Sequence, residues 1–191
     1  MKCDNCGECV PYCPVGAIYD INSGGTPLGG GDPIGNPKLY TPVPNDSLAD
    51  TNMSKIMTTQ IQGLCVVSIM GYLGDNLCDG GVTQDAAAFY YMQLSGNVDI
   101  TQGVELQYMD DLVNHYFYTH NFGSFTNTID QGYVVMTDMA TSQSNVFHNV
   151  VIVGYKYNGY LIYMDPEVGK WMEAHPGYFN NNYNFVISGC K

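Results

Sequence analysis

The sequence predicts an α+β domain, with helices in its first half and an antiparallel sheet in its second, behind a short cysteine-rich segment. Two helix-patterned stretches, 84–94 and 105–115, precede the main β-rich runs. Those runs, rich in Val, Ile, Tyr or Phe, follow at 133–137, 147–155, 160–164 and 184–188, each bounded by Gly, Asn or Asp. Two of them flank Lys156-Tyr157-Asn158-Gly159, whose Asn-Gly pair signals a tight hairpin turn and therefore antiparallel pairing.

In chain order, residues 1–21 form the cysteine-rich segment. Residues 22–46 carry Ser23-Gly24-Gly25, Gly29-Gly30-Gly31 and prolines at 27, 33, 37, 42 and 44. That density opposes helix and strand and reads as a linker. The alternative is an extended arm packed on the domain surface, with Ile34, Leu39 and Tyr40 as anchors. Residues 47–191 form the main domain, where the apolar run 65–73, just after Gly63, reads as the first helix. Thr83 stands in capping position for the helix at 84–94. A short helix at 124–130 is stopped by Gly132.

Composition bounds the class. At 191 residues, 45% hydrophobic and 13% charged, the chain is globular, with room for one full domain and a small appendage. Eighteen acidic residues against 6 basic give a net charge of −12, a field that disfavours nucleic acid and anionic membrane surfaces as partners. No stretch reaches the ~18 apolar residues of a membrane helix. Lys2 is followed by cysteines and prolines instead of the apolar run of a signal peptide, so the expected location is cytoplasmic; a secreted protein with a trimmed signal is the alternative.

Cys3, Cys6, Cys9 and Cys13, with Pro14 behind, are spaced Cys-x2-Cys-x2-Cys-x3-Cys-Pro. Soft thiolates converging on one centre point to a 4Fe–4S cluster. Zinc on four thiolates is one alternative, and a metal-free or disulfide-bonded loop another. Together with Pro14-Val15-Gly16-Ala17-Ile18, the stretch resembles one half of a bacterial ferredoxin over about eighteen residues. In two-cluster ferredoxins the fourth cysteine of such a run serves the other cluster, and the partner run is absent here. A local cluster then needs all four of these thiols, or a remote one from Cys65, Cys78 or Cys190. A homodimer sharing clusters would also solve the ligand count. Cys78 and Cys190 could pair, remain free or lend a thiol, and no role is assigned to them.

A second constellation lies in the main domain. Cys65 at the start of the first apolar helix would have its thiolate favoured by the helix macrodipole. His148 heads one strand, in Phe147-His148-Asn149-Val150, and Asp165 ends the next, in Tyr163-Met164-Asp165-Pro166. The hairpin brings those two ends together. A cysteine activated by a histidine that a carboxylate orients is the nucleophilic triad of acyl transfer. Gln60, five residues before Cys65, is the candidate oxyanion donor, with Gln62 the competing choice. His115, His120 and His175 read as surface or packing residues.

The pieces Gln-x4-Cys leading into a helix, His-Asn-Val-Val-Ile-Val-Gly-Tyr, a hairpin and Asp-Pro-Glu-Val-Gly resemble papain-like cysteine peptidases, in particular the bacterial branch of double-glycine leader peptidases, over residues 55–188. The resemblance implies a helical lobe carrying the nucleophile, a sheet lobe carrying His and Asp, and a peptide or protein substrate between them. It further implies Cys65 as nucleophile, His148 as general base and acid, Asp165 as orienting carboxylate and Gln60 as oxyanion donor.

Overall fold

The structure is a computed structural model, and it describes residues 37–49, 60, 63–141 and 147–191. The motif cysteines Cys3, Cys6, Cys9 and Cys13, the anchor Ile34 and the competing Gln62 lie outside these residues.

Among the described residues the helices come first and the sheet dominates the rest. Strands β1 (Lys38–Leu39) and β2 (Ser47–Leu48) precede helices α1 (Cys65–Leu77), α2 (Gln84–Ser95) and α3 (Met109–Tyr116). After them come β3 (Phe117–His120), α4 (Phe125–Asp130), β4 (Val134–Ala140), β5 (Phe147–Tyr155), β6 (Leu161–Asp165), β7 (Lys170–Ala174) and β8 (Phe179–Cys190). All eight strands join one sheet in the order β1-β7-β6-β5-β4-β8-β3, with β2 pairing onto the end of β5 beyond β4. Every pairing is antiparallel.

Local chemistry sets the helix ends. Thr83 accepts a hydrogen bond from Ala86 N at 3.1 Å and starts α2, as its position predicts. Ser124 does the same for α4 through Asn127 N, and Gly132, at φ +83°, turns the chain out of that helix into β4. The helix expected at 105–115 is split: Leu106–Tyr108 is a 3-10 turn leading into α3. α1 runs beyond its apolar core to Leu77 and is buried on nearly every side, from Cys65 through Gly74. Its Val, Ser and Gly residues are mediocre helix formers, so packing between the sheet and α2 sustains it. That packing is close: a Cβ on Gly74 would lie 1.8 Å from the Val82 carbonyl oxygen, which only glycine permits.

The sheet separates two apolar clusters. One gathers α1, α2 and α3 with Val134, Met136, Val151, Val153, Ile162, Met164 and Ile187. The other gathers Val135, Val150, Ile152, Leu161, Tyr163 and Phe179 with Ile129 of α4. This strict alternation along β4, β5 and β6 is what a sheet covered on both faces requires.

The end of the stretch read as a linker is packed. Lys38 and Leu39 pair with Glu173 and Met172, and Tyr40 N continues the ladder to Trp171 O at 3.1 Å. Tyr40 is the anchor, its ring 5.9 Å from Trp171 and its hydroxyl on Asp46 at 2.8 Å, whereas Leu39 points outward at 54% exposure. Glu173, buried, binds Lys156 at 2.7 Å and Lys38 at 3.1 Å and so clamps the arm to the sheet edge. Prolines at 37 and 42 bracket a two-residue edge strand without interrupting it. Cys78, closing α1, and Cys190, ending β8, form a disulfide with Cα atoms 5.8 Å apart.

Candidate active site

Three elements converge on one end of the β5–β6 hairpin. β5 presents His148 opposite Met139 of β4, and β6 ends at Asp165 opposite Lys170 of β7. His148 Nε2 lies 2.8 Å from Asp165 Oδ1, with both side chains buried. The turn that follows holds the carboxylate in place: Glu167 N donates to Asp165 Oδ1 at 2.9 Å, and Gly169 N to the Asp165 carbonyl at 2.8 Å. An aspartate followed by proline forms this turn readily, because its side chain accepts from the amide two residues on.

Cys65 is the first residue of α1 and the free cysteine of the described residues, and it is buried. Leu64 before it supplies no side-chain cap, and the first amide bonded within the helix is Ser68 N, to Leu64 O at 3.0 Å. The Cys65 backbone amide and the next two are thus the unsatisfied donors of a helix N-terminus. Gly63 sets the entry to α1 at φ +80°, where a Cβ would lie 2.0 Å from the Thr101 carbonyl oxygen.

The Cys65 side chain is an electrostatic neighbour of His148. Burial resists charge on the ring, but the hydrogen bond to Asp165 and the proximity of Cys65 outweigh it, and the imidazole is pushed up to about 10. The ring nitrogen Nδ1 is buried with no hydrogen bond of standard geometry, and the Cys65 side chain acts on the ring by hydrogen bonding and charge.

Gln60 is tied to the same region by its backbone, its N donating to Pro166 O at 2.7 Å, and its Oε1 is buried without a partner. The other histidines are engaged elsewhere. His115 stacks on Tyr90 at 3.8 Å, His120 stacks on Tyr133 and bonds Ser188 Oγ, and His175 Nδ1 accepts from Gly177 N. Two polar residues of the neighbourhood escape sequence reasoning: Asp138 and Asn149, both buried, with Asn149 Nδ2 donating to Asp138 Oδ1 at 2.9 Å. A lone aspartate within Val134–Ala140, a strand otherwise of apolar residues and one threonine, is the signal that could have found them.

No group of three or more His, Cys, Asp or Glu side chains able to hold a metal ion occurs among the described residues. No helix among them is long and apolar enough to cross a membrane.

Two family models match the chain. The Peptidase_C39 like family matches residues 66–186, a span that contains His148 and Asp165 and begins one residue after Cys65. A 4Fe-4S binding domain matches residues 1–19, which contain Cys3, Cys6, Cys9 and Cys13. No curated protein matches the chain.

Proposed function

The chain belongs to the Peptidase_C39 like family, and from that membership and the hydrogen-bonded His148–Asp165 pair we propose that residues 47–191 form a cysteine peptidase domain acting on a peptide or protein substrate. In this reading α1, α2 and α3 form the helical lobe of a papain-like fold and the sheet forms the other, with substrate bound between them.

Cys65 attacks the scissile carbonyl as a thiolate, its negative charge matched by the imidazolium of His148 and by the α1 amides. The carbonyl oxygen becomes an oxyanion, for which the Cys65 N–H and the Gln60 side-chain amide are the donors. His148 gives its Nδ1 proton to the departing amine, leaving a thioester on Cys65. A water then enters and His148 takes its proton. The resulting hydroxide displaces the thiolate and frees the carboxylic acid product. Asp165 holds the ring by Nε2 throughout, which fixes Nδ1 as the working nitrogen and favours the charged ring.

The observation that carries this reading is the 2.8 Å His148–Asp165 contact at a strand end beside the start of α1. Iodoacetamide should alkylate Cys65 faster than an ordinary thiol at neutral pH, and His148→Ala should abolish that excess. Hydrolysis of a peptide library should stop in Cys65→Ala. Ordinary alkylation kinetics and no hydrolysis would favour the second reading, a catalytically inactive papain-like scaffold in an iron–sulfur electron-transfer or redox-sensing protein. That alternative draws on the unpartnered Nδ1 and on a family match that starts at Val66.

For the N-terminal segment the donor set suits a 4Fe–4S cluster: four soft thiolates, Cys3, Cys6, Cys9 and Cys13, within thirteen residues. Cys78 and Cys190 are bonded to each other and Cys65 is buried at the start of α1, so the four would hold the cluster without them. Bound, the cluster would supply one-electron chemistry, and no step of peptide cleavage uses it. The cluster suits a reducing, cytoplasmic setting, while the Cys78–Cys190 bond favours the secreted alternative.

A further inference from the structure

The strand pair that carries His148 holds a second polar pair, which the triad does not use. Asp138 of β4 lies directly opposite Asn149 of β5, the residue after His148. The two are 3% and 2% exposed. Asn149 Nδ2 donates to Asp138 Oδ1 at 2.9 Å, and each group is left with one spare atom: Asp138 Oδ2 and Asn149 Oδ1 are both buried without a partner. With an ionised carboxylate these are two orphaned acceptors on facing side chains, a costly arrangement away from water. One proton on Oδ2 removes both. Oδ2–H would be free to donate to Asn149 Oδ1, so that acid and amide would close a ring of two reciprocal hydrogen bonds.

We propose that Asp138 keeps its proton at neutral pH, locked to Asn149 by paired hydrogen bonds, and that this uncharged pair is a positioning device for His148. The surroundings agree. Burial drives the Asp138 carboxyl above the ordinary carboxylate range, and the Asn149 bond and the charge on His148 pull it part of the way back. No other charged side chain of the described residues acts on it. β8, on the other edge of β4, has no acidic or basic residue from Phe179 to Cys190 and contributes Tyr183 alone as a titratable phenol. The Asp130 side chain of α4 accepts from the Tyr155 hydroxyl, and Cys65 of α1 acts on His148.

The consequence for His148 rests on the peptidase reading; the proton on Asp138 does not. The imidazolium already has one counter-charge in Asp165. A second carboxylate nearby would make the ring hold its proton harder and deliver it less readily to a leaving amine. Ionising Asp138 would also set acceptor against acceptor, and the Asp138–Asn149 lock would open next to His148. Rates should therefore fall on the alkaline side before His148 itself loses its proton.

Carboxyl 13C NMR of the wild-type protein labelled at aspartate decides the first point. The resonance that disappears in Asp138→Asn should have the shift of a neutral acid at neutral pH and should titrate above the normal carboxylate range. If it titrates in that range, the proposal is overturned whatever the activity. For the second point, Asp138→Leu should slow Cys65 alkylation about tenfold, the order expected for one lost buried hydrogen-bond pair. Asp138→Asn, which can rebuild the ring as an amide pair, should restore the alkylation rate and abolish the alkaline fall in peptide hydrolysis. A folded Asp138→Asn protein that stays as slow as Asp138→Leu, or that keeps the alkaline fall, removes the positioning role.

Discussion

Replacing Asp165 by asparagine tests the site where its physics is most explicit. The buried His148 ring is pushed up to about 10 against an ordinary value of 6.5. That difference is about 5 kcal/mol favouring the imidazolium, a net balance in which Asp165 and Cys65 together outweigh burial. Burial alone acts the other way. Asp165→Asn preserves shape and can still accept from Nε2–H, but it removes the counter-charge, so desolvation should prevail and bring His148 to or below its ordinary range. On the proposed peptidase reading, the thiolate–imidazolium pair would then be lost at neutral pH, with a loss of ~10²–10⁴ in Cys65 alkylation and in any peptidase rate. Ring 15N NMR reads the titration directly, and the alkylation profile reads its effect on Cys65. The sign for stability follows from the raised value. In wild type the His148 contribution is complete below pH 6.5, declines as pH rises and is gone above about 10. Asp165→Asn should flatten that decline. If His148 in the variant still titrates near 10, Asp165 is not its controlling partner and the orienting role fails.

Three further outcomes are expected. Gly74→Val should cost about 3 kcal/mol or more, roughly 6–12 °C in Tm by calorimetry, because even a Cβ would meet the Val82 carbonyl at 1.8 Å. Cys78→Ser should lower stability by up to about 5 kcal/mol in denaturant titrations, as the bond closes a loop with a sequence separation of 112. Protein purified anaerobically should contain about four irons and four sulfides per chain, and these should be absent when Cys3, Cys6 and Cys9 are replaced by serine.

What the sequence made legible follows from how local each signal is. Thr83 and Gly132 act within one helical turn, and the structure puts both where their chemistry predicts. The Asn158–Gly159 turn is equally local, and it sets β5 against β6 and hence His148 near Asp165. β3 and β7 were missed because each is four or five residues long and gains its strand character from pairing with β8 and β6. β8 was cut short at its start because 180–182 are asparagines, poor strand formers, and the ladder with β4 slips there from Asn184 to Asn180. Asp138 was missed for the same kind of reason. Its partner is 11 residues away across the sheet, and the one local mark is an aspartate in an otherwise apolar strand with a single threonine, which names no partner.

The position of Cys65 depends on contacts far from the triad. α1 is a poor helix by composition, carrying two valines, an isoleucine, a serine and two glycines in 13 residues, and its first residue has no side-chain cap. Three constraints hold it instead: the Gly63 turn against Thr101, the Gly74 contact with α2's approach at Val82, and the disulfide from Cys78 to the last strand. Trp171 of β7 adds a fourth through its indole N–H to the buried Tyr72 hydroxyl at 3.0 Å, and Trp171 also receives the Tyr40 arm. The arm that leads from the cysteine-rich segment therefore ends on the residue that braces the helix of the candidate nucleophile. A loosening of the arm would reach Cys65 through Trp171 and Tyr72. Tyr40→Ala should lower Cys65 alkylation rates several-fold with the His148 titration unchanged, whereas a shift in both would place the arm's effect on the sheet rather than on α1.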